Sequence, residues 1–273
     1  MSSTGESLYR EVKNCISGEF KHLYGDHVHI LKDPWALTLL ASMSSPQVAQ
    51  PDLDPLIRLL YERLLGYVVS AEFPLEFREV PTRMAGYSFG GNLVSSATRV
   101  VVLDLLRAGM MPAHYSFLSL LRILPNRHIR VDHLCVERVT DRAKKVRGSD
   151  VLAAKVGGNI DNTIVFLPDP MGATGNSVKA AVHYYRAHGL GKAAKWIIAN
   201  LIVTPEHIEA LSSLRKEENV VLYAFRLDRG GSEQEVFSSV PGKHRGRERG
   251  LNEVDYIIPG AGGIGELLNN TEK

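Results

Sequence analysis

The chain has 273 residues, with 32 lysines and arginines against 30 aspartates and glutamates. This balance lacks the excess of positive charge that a general nucleic-acid-binding protein carries, so small molecules or proteins are the expected partners. Cys15 and Cys135 form neither a disulfide framework nor a zinc-ligand spacing. No apolar run approaches the roughly 20 residues that would cross a bilayer. We therefore expect a cytoplasmic protein with one α/β domain and no membrane segment.

The amino-terminal third predicts an extension and one clear helix. Residues 1–26 are mixed in polarity, and we expect them to form an N-terminal extension with a short helix over residues 6–20. Further along, apolar residues recur at helical spacing over residues 54–69. Asp52 or Asp54 is placed to cap this amphipathic helix.

The middle of the chain alternates predicted strands and helices. Alternation of this length indicates a mostly parallel sheet with helices on both faces, and such sheets bind ligands at the carboxyl ends of their strands. The predicted strands are residues 99–106, 129–136, 164–167, 195–203 and 220–227, and the predicted helices are residues 113–124, 178–188 and 205–214.

Three segments do not follow this alternation. Residues 138–153 lack a clean period, and we interpret them as a mobile loop or a flap hairpin. Residues 229–249 end in a basic cluster and are predicted to be an exposed loop. Residues 256–258 predict a short apolar strand that leads into a loop with four glycines in residues 260–265. Exposed backbone donors and acceptors in such a loop suit the edge of a flat ligand, for example a base.

A phosphate-binding loop is predicted where residues 165–177 read V-F-L-P-D-P-M-G-A-T-G-N-S. An apolar strand ends here at a single carboxylate, and glycines then let backbone N–H groups approach an anion with no Cβ in the way. Hydroxyl groups add donors, and the following helix presents its positive end. The predicted loop comprises Asp169, Pro170, Met171, Gly172, Ala173, Thr174, Gly175, Asn176 and Ser177.

These residue types suit a phosphorylated sugar that binds together with a divalent metal. Asp169 could bind sugar hydroxyls or metal-bound water, because Mg²⁺ keeps much of its hydration shell. Arg107 and Arg138 lie at predicted strand ends and could bind a diphosphate through bidentate contacts. Neutralising a leaving diphosphate stabilises charge that grows in the transition state, so no nucleophilic side chain is needed. Glu137 could form a local ion pair or face the metal.

Taken in series, several motifs resemble those of one enzyme family. The run D-P-M-G-A-T-G-N-S resembles the phosphoribosyl-diphosphate loop of uracil phosphoribosyltransferases, and L-N-E-V-D-Y-I-I-P-G-A-G-G-I-G resembles the uracil-binding segment of that family. Residues 27–40, 106–109 and 136–138 agree with it in the same order. The resemblance extends from about residue 27 to about residue 267.

The resemblance implies a phosphoribosyltransferase-type α/β fold over residues 27–273, with a mostly parallel central sheet, flanking helices, a small hood, and residues 229–249 as an inserted loop. It implies transfer of a phosphoribosyl group from 5-phosphoribosyl 1-diphosphate to uracil, a pyrimidine base, giving UMP and diphosphate. Mg²⁺ would bind with the diphosphate, without a dedicated protein metal site. Family members form homodimers or higher oligomers, and some are activated by GTP.

The resemblance also assigns roles to individual residues. Asp169 and Arg107 match catalytic positions, Arg107 and Arg138 match the two diphosphate-binding arginines, and residues 169–177 match the loop around the ribose 5-phosphate. The positions that match base recognition, largely through the backbone, are Ile257, Gly262, Gly263 and Ile264.

Three features depart from the pattern of the family. Gly263 stands where the family has an aspartate that contacts the donor or its metal, and Asn176 replaces a glycine of the phosphate loop. Roughly 20 residues are inserted after Asp228, again by comparison with the motif pattern. Two alternatives therefore stay open. One is a phosphoribosyltransferase with a different acceptor, and the other is a non-catalytic regulatory protein that binds a nucleotide or phosphoribosyl diphosphate.

Overall fold

A computed structural model of the chain describes residues 7–15, 18–140 and 146–271. The strands it describes are β1 (Val28–Ile30), β2 (Leu75–Pro81), β3 (Ser88–Val94), β4 (Val100–Leu106), β5 (Ile129–Thr140), β6 (Val146–Lys155), β7 (Ile164–Pro168), β8 (Met171–Gly172), β9 (Lys195–Val203) and β10 (Val220–Leu227). The helices are α1 (Pro34–Met43), α2 (Leu53–Glu72), α3 (Met110–Leu120), α4 (Asn176–Ala187), α5 (Pro205–Leu214), α6 (Gln234–Phe237) and α7 (Ile264–Leu268).

The main sheet is parallel except at one edge. Its order is β1-β10-β9-β7-β4-β5-β6, with the short β8 beside β9. Only β6 runs antiparallel to its neighbour among the described strands of this sheet, because it returns from β5 as a hairpin. Strands β2 and β3 form a separate antiparallel hairpin.

Two apolar cores cover the two faces of the sheet. Consecutive residues of β4 show this, since side chains alternate between faces along a strand. Val102 packs in the core that holds Leu60 of α2, and Val101 packs in the core that holds Tyr185 of α4. Each of these four side chains is fully buried. The central strands are mostly apolar, as expected for a sheet covered on both sides.

The alternating pattern predicted the centre of the fold correctly. Residues 195–203, 205–214 and 220–227 form β9, α5 and β10 with the predicted bounds, and the helix predicted over residues 54–69 is α2. Helix α3 begins three residues earlier than predicted because Pro112 fits its first turn. Neither predicted cap holds, since Asp52 makes no capping hydrogen bond and Asp54 accepts from the Tyr115 hydroxyl at 2.6 Å.

The helix predicted over residues 6–20 is wrong. A single 3-10 turn, Ser7–Arg10, is followed by a chain without helix over the described residues. Side-chain amides from other elements satisfy the backbone there: Asn92 donates to the carbonyls of Arg10 and Val12 at 2.8 and 3.0 Å. In return, the amide of Asn14 donates to carbonyls at the end of α2. The segment is held by these contacts instead of by internal helical bonds.

Two further segments correct or refine the predictions. Residues 256–258 form no strand, only a bridge between Leu251 and Ile257, because the Asn252 side chain accepts from two following amides and folds the chain into a turn. Residues 138–153 contribute to the β5–β6 hairpin, which confirms the flap-hairpin alternative for its described part. Residues 141–145 lie outside the described residues.

Helix α1 and the β2–β3 hairpin were not predicted. The start of α1 has a recognisable signature, since Asp33 accepts from the backbone amides of Trp35 and Ala36 at 3.0 and 3.2 Å and Pro34 occupies the first turn. Within the described ranges, no helix is both long and apolar enough to span a bilayer.

Candidate active site

A cleft of about 560 Å³ opens at the carboxyl ends of β4, β5 and β7. These strands are neighbours in the sheet, so the residues that follow them meet at one edge. From the predicted donor site the cleft is lined by Arg107, Asp169, Met171, Ala173, Thr174, Gly175 and Ser177, and from the predicted base site by Ile257, Gly262, Gly263 and Ile264. Residues more than 150 positions apart in the sequence therefore face one space.

The phosphate loop turns tightly after β7. Asp169 Oδ1 accepts from the backbone amide of Met171 at 3.2 Å, which closes the first turn. Gly175 has φ 75°, and a Cβ there would lie 2.5 Å from the Cβ of Ala210. Both the left-handed backbone and the lack of space require glycine at this position. Helix α4 then begins at Asn176 and directs its positive end toward the loop.

Three residues of the predicted loop do not line the cleft. Pro170 and Gly172 face β9: the carbonyl of Pro170 accepts from backbone amides of that strand, and a Cβ at Gly172 would lie 2.9 Å from Val203. Asn176 is the first residue of α4, and its backbone N–H donates to the Thr174 hydroxyl at 3.3 Å. Because Gly175 takes the left-handed conformation, asparagine is accommodated at position 176.

Helix α5 packs against the phosphate loop. It also contributes a cleft residue, His207, that the sequence did not predict. The Thr204 hydroxyl donates to the carbonyl of Ala173 at 2.6 Å and also caps α5. His207 lines the cleft beside the loop and is buried. Burial lowers its pKa to about 3, so the imidazole is neutral at physiological pH. Neither ring nitrogen has a hydrogen-bond partner within the described part of the chain.

Of the two predicted diphosphate-binding arginines, the structure describes the side chain of Arg107 but only the backbone of Arg138. Arg107 follows a cis peptide bond at the end of β4, lines the cleft, and donates to Thr271 Oγ1 at 2.9 Å and to Glu266 Oε1 at 3.3 Å. The backbone of Arg138 pairs with Ser149 in the β5–β6 hairpin, and its side chain lies outside the described structure. Glu137 is among the residues that line the cleft.

The glycine-rich loop is attached to the end of β10. Asp228 Oδ2 accepts from the backbone amide of Gly260 at 2.8 Å, and Arg226 donates to the carbonyl of Gly260 at 2.7 Å. Arg226 also binds Asp228 through two further bonds and donates to the Ser44 hydroxyl at the end of α1. These polar contacts fix the wall of the cleft that carries the predicted base-binding residues.

The insertion at residues 229–249 is not simply an exposed loop. Arg229 and Glu248 are buried and form an ion pair at 3.0 Å. The hydroxyl of Tyr24 donates to Glu248 at 2.6 Å, and the amide of Gly242 donates to the same carboxylate. The insertion is therefore a compact unit with an exposed rim, and it packs on a segment near the amino terminus. Within the basic cluster, Arg247 pairs with Glu233 at 2.6 Å.

A hydrated divalent ion that arrives with a ligand would find oxygen atoms in the cleft. Within the described residues, no group of three or more histidines, cysteines, aspartates or glutamates could hold a metal ion directly. Carboxylates of Glu137, Asp169 and Glu266 nevertheless line the cleft. Oxygen ligands of this kind suit Mg²⁺ that keeps several of its waters and binds through substrate phosphates.

Comparison with known proteins matches this arrangement to one family. A family model described as uracil phosphoribosyltransferase matches residues 30–243. The chain belongs to the uracil phosphoribosyltransferase family. A uracil phosphoribosyltransferase of Caldanaerobacter subterraneus is 29% identical over 209 residues, covering 77% of this chain and 81% of the relative. One from Dictyoglomus thermophilum is 31% identical over 216 residues, covering 78% and 86%.

The fold of this family member is also found among solved structures. The AQ2163 protein from Aquifex aeolicus matches with a TM-score of 0.64 at 24% identity, and the match covers 88% of this chain and 97% of that one. The mostly parallel sheet with flanking helices is the phosphoribosyltransferase-type fold, as the sequence predicted. The chain is therefore an enzyme of the phosphoribosyltransferase class.

Proposed function

We propose that the protein transfers a phosphoribosyl group from 5-phosphoribosyl 1-diphosphate to uracil, giving UMP and diphosphate. One observation carries the proposal: the phosphate loop, Arg107 and the glycine-rich loop line a single cleft, although they come from distant parts of the sequence. The curated relatives that match most of the chain are named for the same activity.

Each wall of the cleft has a part in this reaction. The bond between the ribose anomeric carbon and a diphosphate oxygen breaks, and a bond to a uracil nitrogen forms as that nitrogen loses its proton to solvent water. Thr174 and Ser177 would bind the 5-phosphate with the loop amides and the positive end of α4. Arg107 would neutralise charge that grows on the leaving diphosphate. Asp169 would bind the ribose hydroxyls or water held by Mg²⁺.

The acceptor would be recognised largely by backbone groups. Ile257 and Ile264 are buried and offer apolar contact to a flat ring, while Gly262 and Gly263 line the cleft without side chains. Backbone amides and carbonyls that face the cleft can bind the polar edge of a base. Tyr256 also lines the cleft and was missed because an exposed tyrosine beside a loop carries little signal in one sequence.

Several properties complete the proposal. Mg²⁺ would enter with the diphosphate group of the donor, supplying positive charge against the leaving group. We further propose a cytoplasmic homodimer or higher homo-oligomer, with GTP as an effector. Activity titrated against Mg²⁺, sedimentation of the purified chain, and activity with added GTP would test the metal requirement, the oligomeric state and the GTP effect separately.

The direct test is transfer with radiolabelled uracil, donor and Mg²⁺, with separation of UMP. The expected result is UMP that forms in proportion to enzyme and requires both the donor and the metal. Folded protein that binds the donor but makes no UMP would contradict the uracil assignment. A panel of other bases in the same assay would then reveal whether a different acceptor is used, and no product from any base would indicate a binding protein.

A further inference from the structure

Glu266 occupies the space that a side chain at position 263 would fill. A Cβ built on Gly263 would lie 2.7 Å from Glu266 Oε2. The absence of a side chain at Gly263 thus makes room for a carboxylate that arrives from three residues later, in α7. Glu266 is among the residues that line the cleft.

The same carboxylate is paired with the cation of the donor site. Glu266 Oε1 accepts from Arg107 Nη2 at 3.3 Å, and Thr271 accepts from the other terminal nitrogen at 2.9 Å. Thr271 is itself tied to this helix, because its amide donates to the carbonyl of Glu266 at 3.0 Å. Arg107 is 53% exposed and Glu266 is 40% exposed, so a more highly charged anion can displace this weak pair.

The described lining of the cleft is rich in acids. Glu137, Asp169, Asp255 and Glu266 face it, and among the described side chains that line the cleft Arg107 carries the positive charge. A fully ionised diphosphate without metal is repelled by such a surface, whereas a diphosphate that carries Mg²⁺ has most of its charge neutralised. Of these four acids, Glu266 contacts Arg107 directly.

We propose that Glu266 is a specificity-determining residue that makes the donor site prefer the Mg²⁺-complexed diphosphate group over the metal-free one. It competes with a bare diphosphate for Arg107. When the diphosphate carries Mg²⁺, the cation offsets the repulsion between the Glu266 carboxylate and the diphosphate oxygens. The inference rests on the proposed function, because it assumes that Arg107 binds the diphosphate of the donor.

The test measures binding of inorganic diphosphate by calorimetry, with Mg²⁺ and with a chelator, for the wild-type chain and Glu266→Gln. The substitution keeps size and polarity but removes the charge. We expect metal-free diphosphate to bind more tightly and the ratio of metal-free to Mg²⁺ dissociation constants to fall about fivefold, the size expected of an exposed charge pair. An unchanged ratio would overturn the proposal.

Two further variants separate this role from a general effect of charge. Glu62→Gln removes the acid of another exposed Arg–Glu pair, with Arg58 on α2, and should leave the ratio unchanged. The double variant Gly263→Asp with Glu266→Ala clears the space that the Glu266 side chain fills and returns a carboxylate to it, where φ of −82° accepts a side chain. It should restore the preference for the Mg²⁺ complex. If the double variant lacks the preference, a carboxylate in this space does not determine which form of diphosphate binds.

Failure of the inference and failure of the proposed function have different signatures. If wild-type protein binds diphosphate in neither form, the donor site itself is wrongly assigned, and the inference fails with it. If wild-type protein makes UMP and binds the Mg²⁺ complex, but Glu266→Gln has the wild-type ratio, only the inference is overturned.

Discussion

The two walls of the cleft are built in different ways. The donor wall is a strand, a tight loop and a helix, in which β7 is buried along its whole length and the loop rests on α5. The acceptor wall contains little regular structure between β10 and α7, and polar contacts hold it: Arg226 to Asp228, and Arg229 to Glu248. Regular elements fix one wall, and ion pairs with buried carboxylates help to fix the other.

This difference explains why the sequence alone predicts more of the donor wall than of the acceptor wall. A strand, a glycine turn and a helix leave local patterns within about a dozen residues. The contacts of the acceptor wall join positions far apart in the chain, as with Tyr24 and Glu248, which are 224 residues apart. Four variants or conditions test this comparison, starting from the largest expected effect.

Breaking the buried ion pair of the insertion should have the largest effect on stability. Glu248→Gln leaves the Arg229 guanidinium buried without a charged partner, which costs about 3–5 kcal/mol in comparable pairs. Urea unfolding of purified protein measures the loss. Glu253→Gln, at an exposed position of the same region, is the control and should change little. A loss below about 1 kcal/mol for Glu248→Gln would show that the pair does not hold this wall.

Removing the charge of Asp169 should reduce turnover without unfolding the donor wall. In Asp169→Asn, UMP formation should fall about 100-fold or more, the size seen when one preorganised electrostatic contact is lost. The measurement is the rate of UMP formation with saturating uracil. Asp161→Asn removes an exposed aspartate that does not line the cleft and should retain wild-type turnover. Equal rates for the two variants would contradict the role given to Asp169.

The close packing of the phosphate loop can be measured at Gly175. Gly175→Ala adds a Cβ 2.5 Å from that of Ala210 and forces alanine into φ 75°, so we expect destabilisation of about 2–4 kcal/mol. Gly189→Ala is a matched control, since its φ is 61° and no atom lies within 4 Å of the added Cβ. It should cost only about 1–2 kcal/mol. Equal losses in urea unfolding would show that α5 does not constrain the loop.

The pH dependence of stability should report the buried histidines. Burial lowers the pKa of His207 to about 3, and burial together with the nearby Arg215 lowers that of His27 to about 4, both from 6.5. The unfolded chain therefore binds more protons below pH 6.5, and stability falls as pH decreases toward 4. Each histidine contributes a slope of up to about 1.4 kcal/mol per pH unit in this range.

A substitution identifies the contribution of the histidine beside the phosphate loop. His207→Gln cannot take up a proton, so its unfolding free energy should depend less on pH between 6.5 and 4 than that of the wild type. Urea unfolding at several pH values gives the two slopes. Identical slopes would mean that His207 is not held neutral in the folded protein.

The alternation of strands and helices predicted the parallel sheet, and β4, β7, β9 and β10 are mostly apolar, as expected for a sheet covered on both faces. The sequence also located the tight loop between β7 and α4 from glycines and hydroxyls in one short run, and phosphate binding by that loop stays a prediction. It did not predict Glu266, because nothing local indicates that a residue of α7 fills the space at Gly263. His207 was missed for a similar reason, since its place beneath the loop depends on how α5 packs.

The side chain of Arg226 connects elements that are far apart in the sequence. Its guanidinium joins the end of α1, at Ser44, to the carboxyl end of β10 and to the carbonyl of Gly260. Side chains at the end of β10 therefore help to hold the glycine-rich loop in place, which suits the proposed site for a small ring. A glycine-rich segment can be ordered in this way while its amides stay available to a ligand.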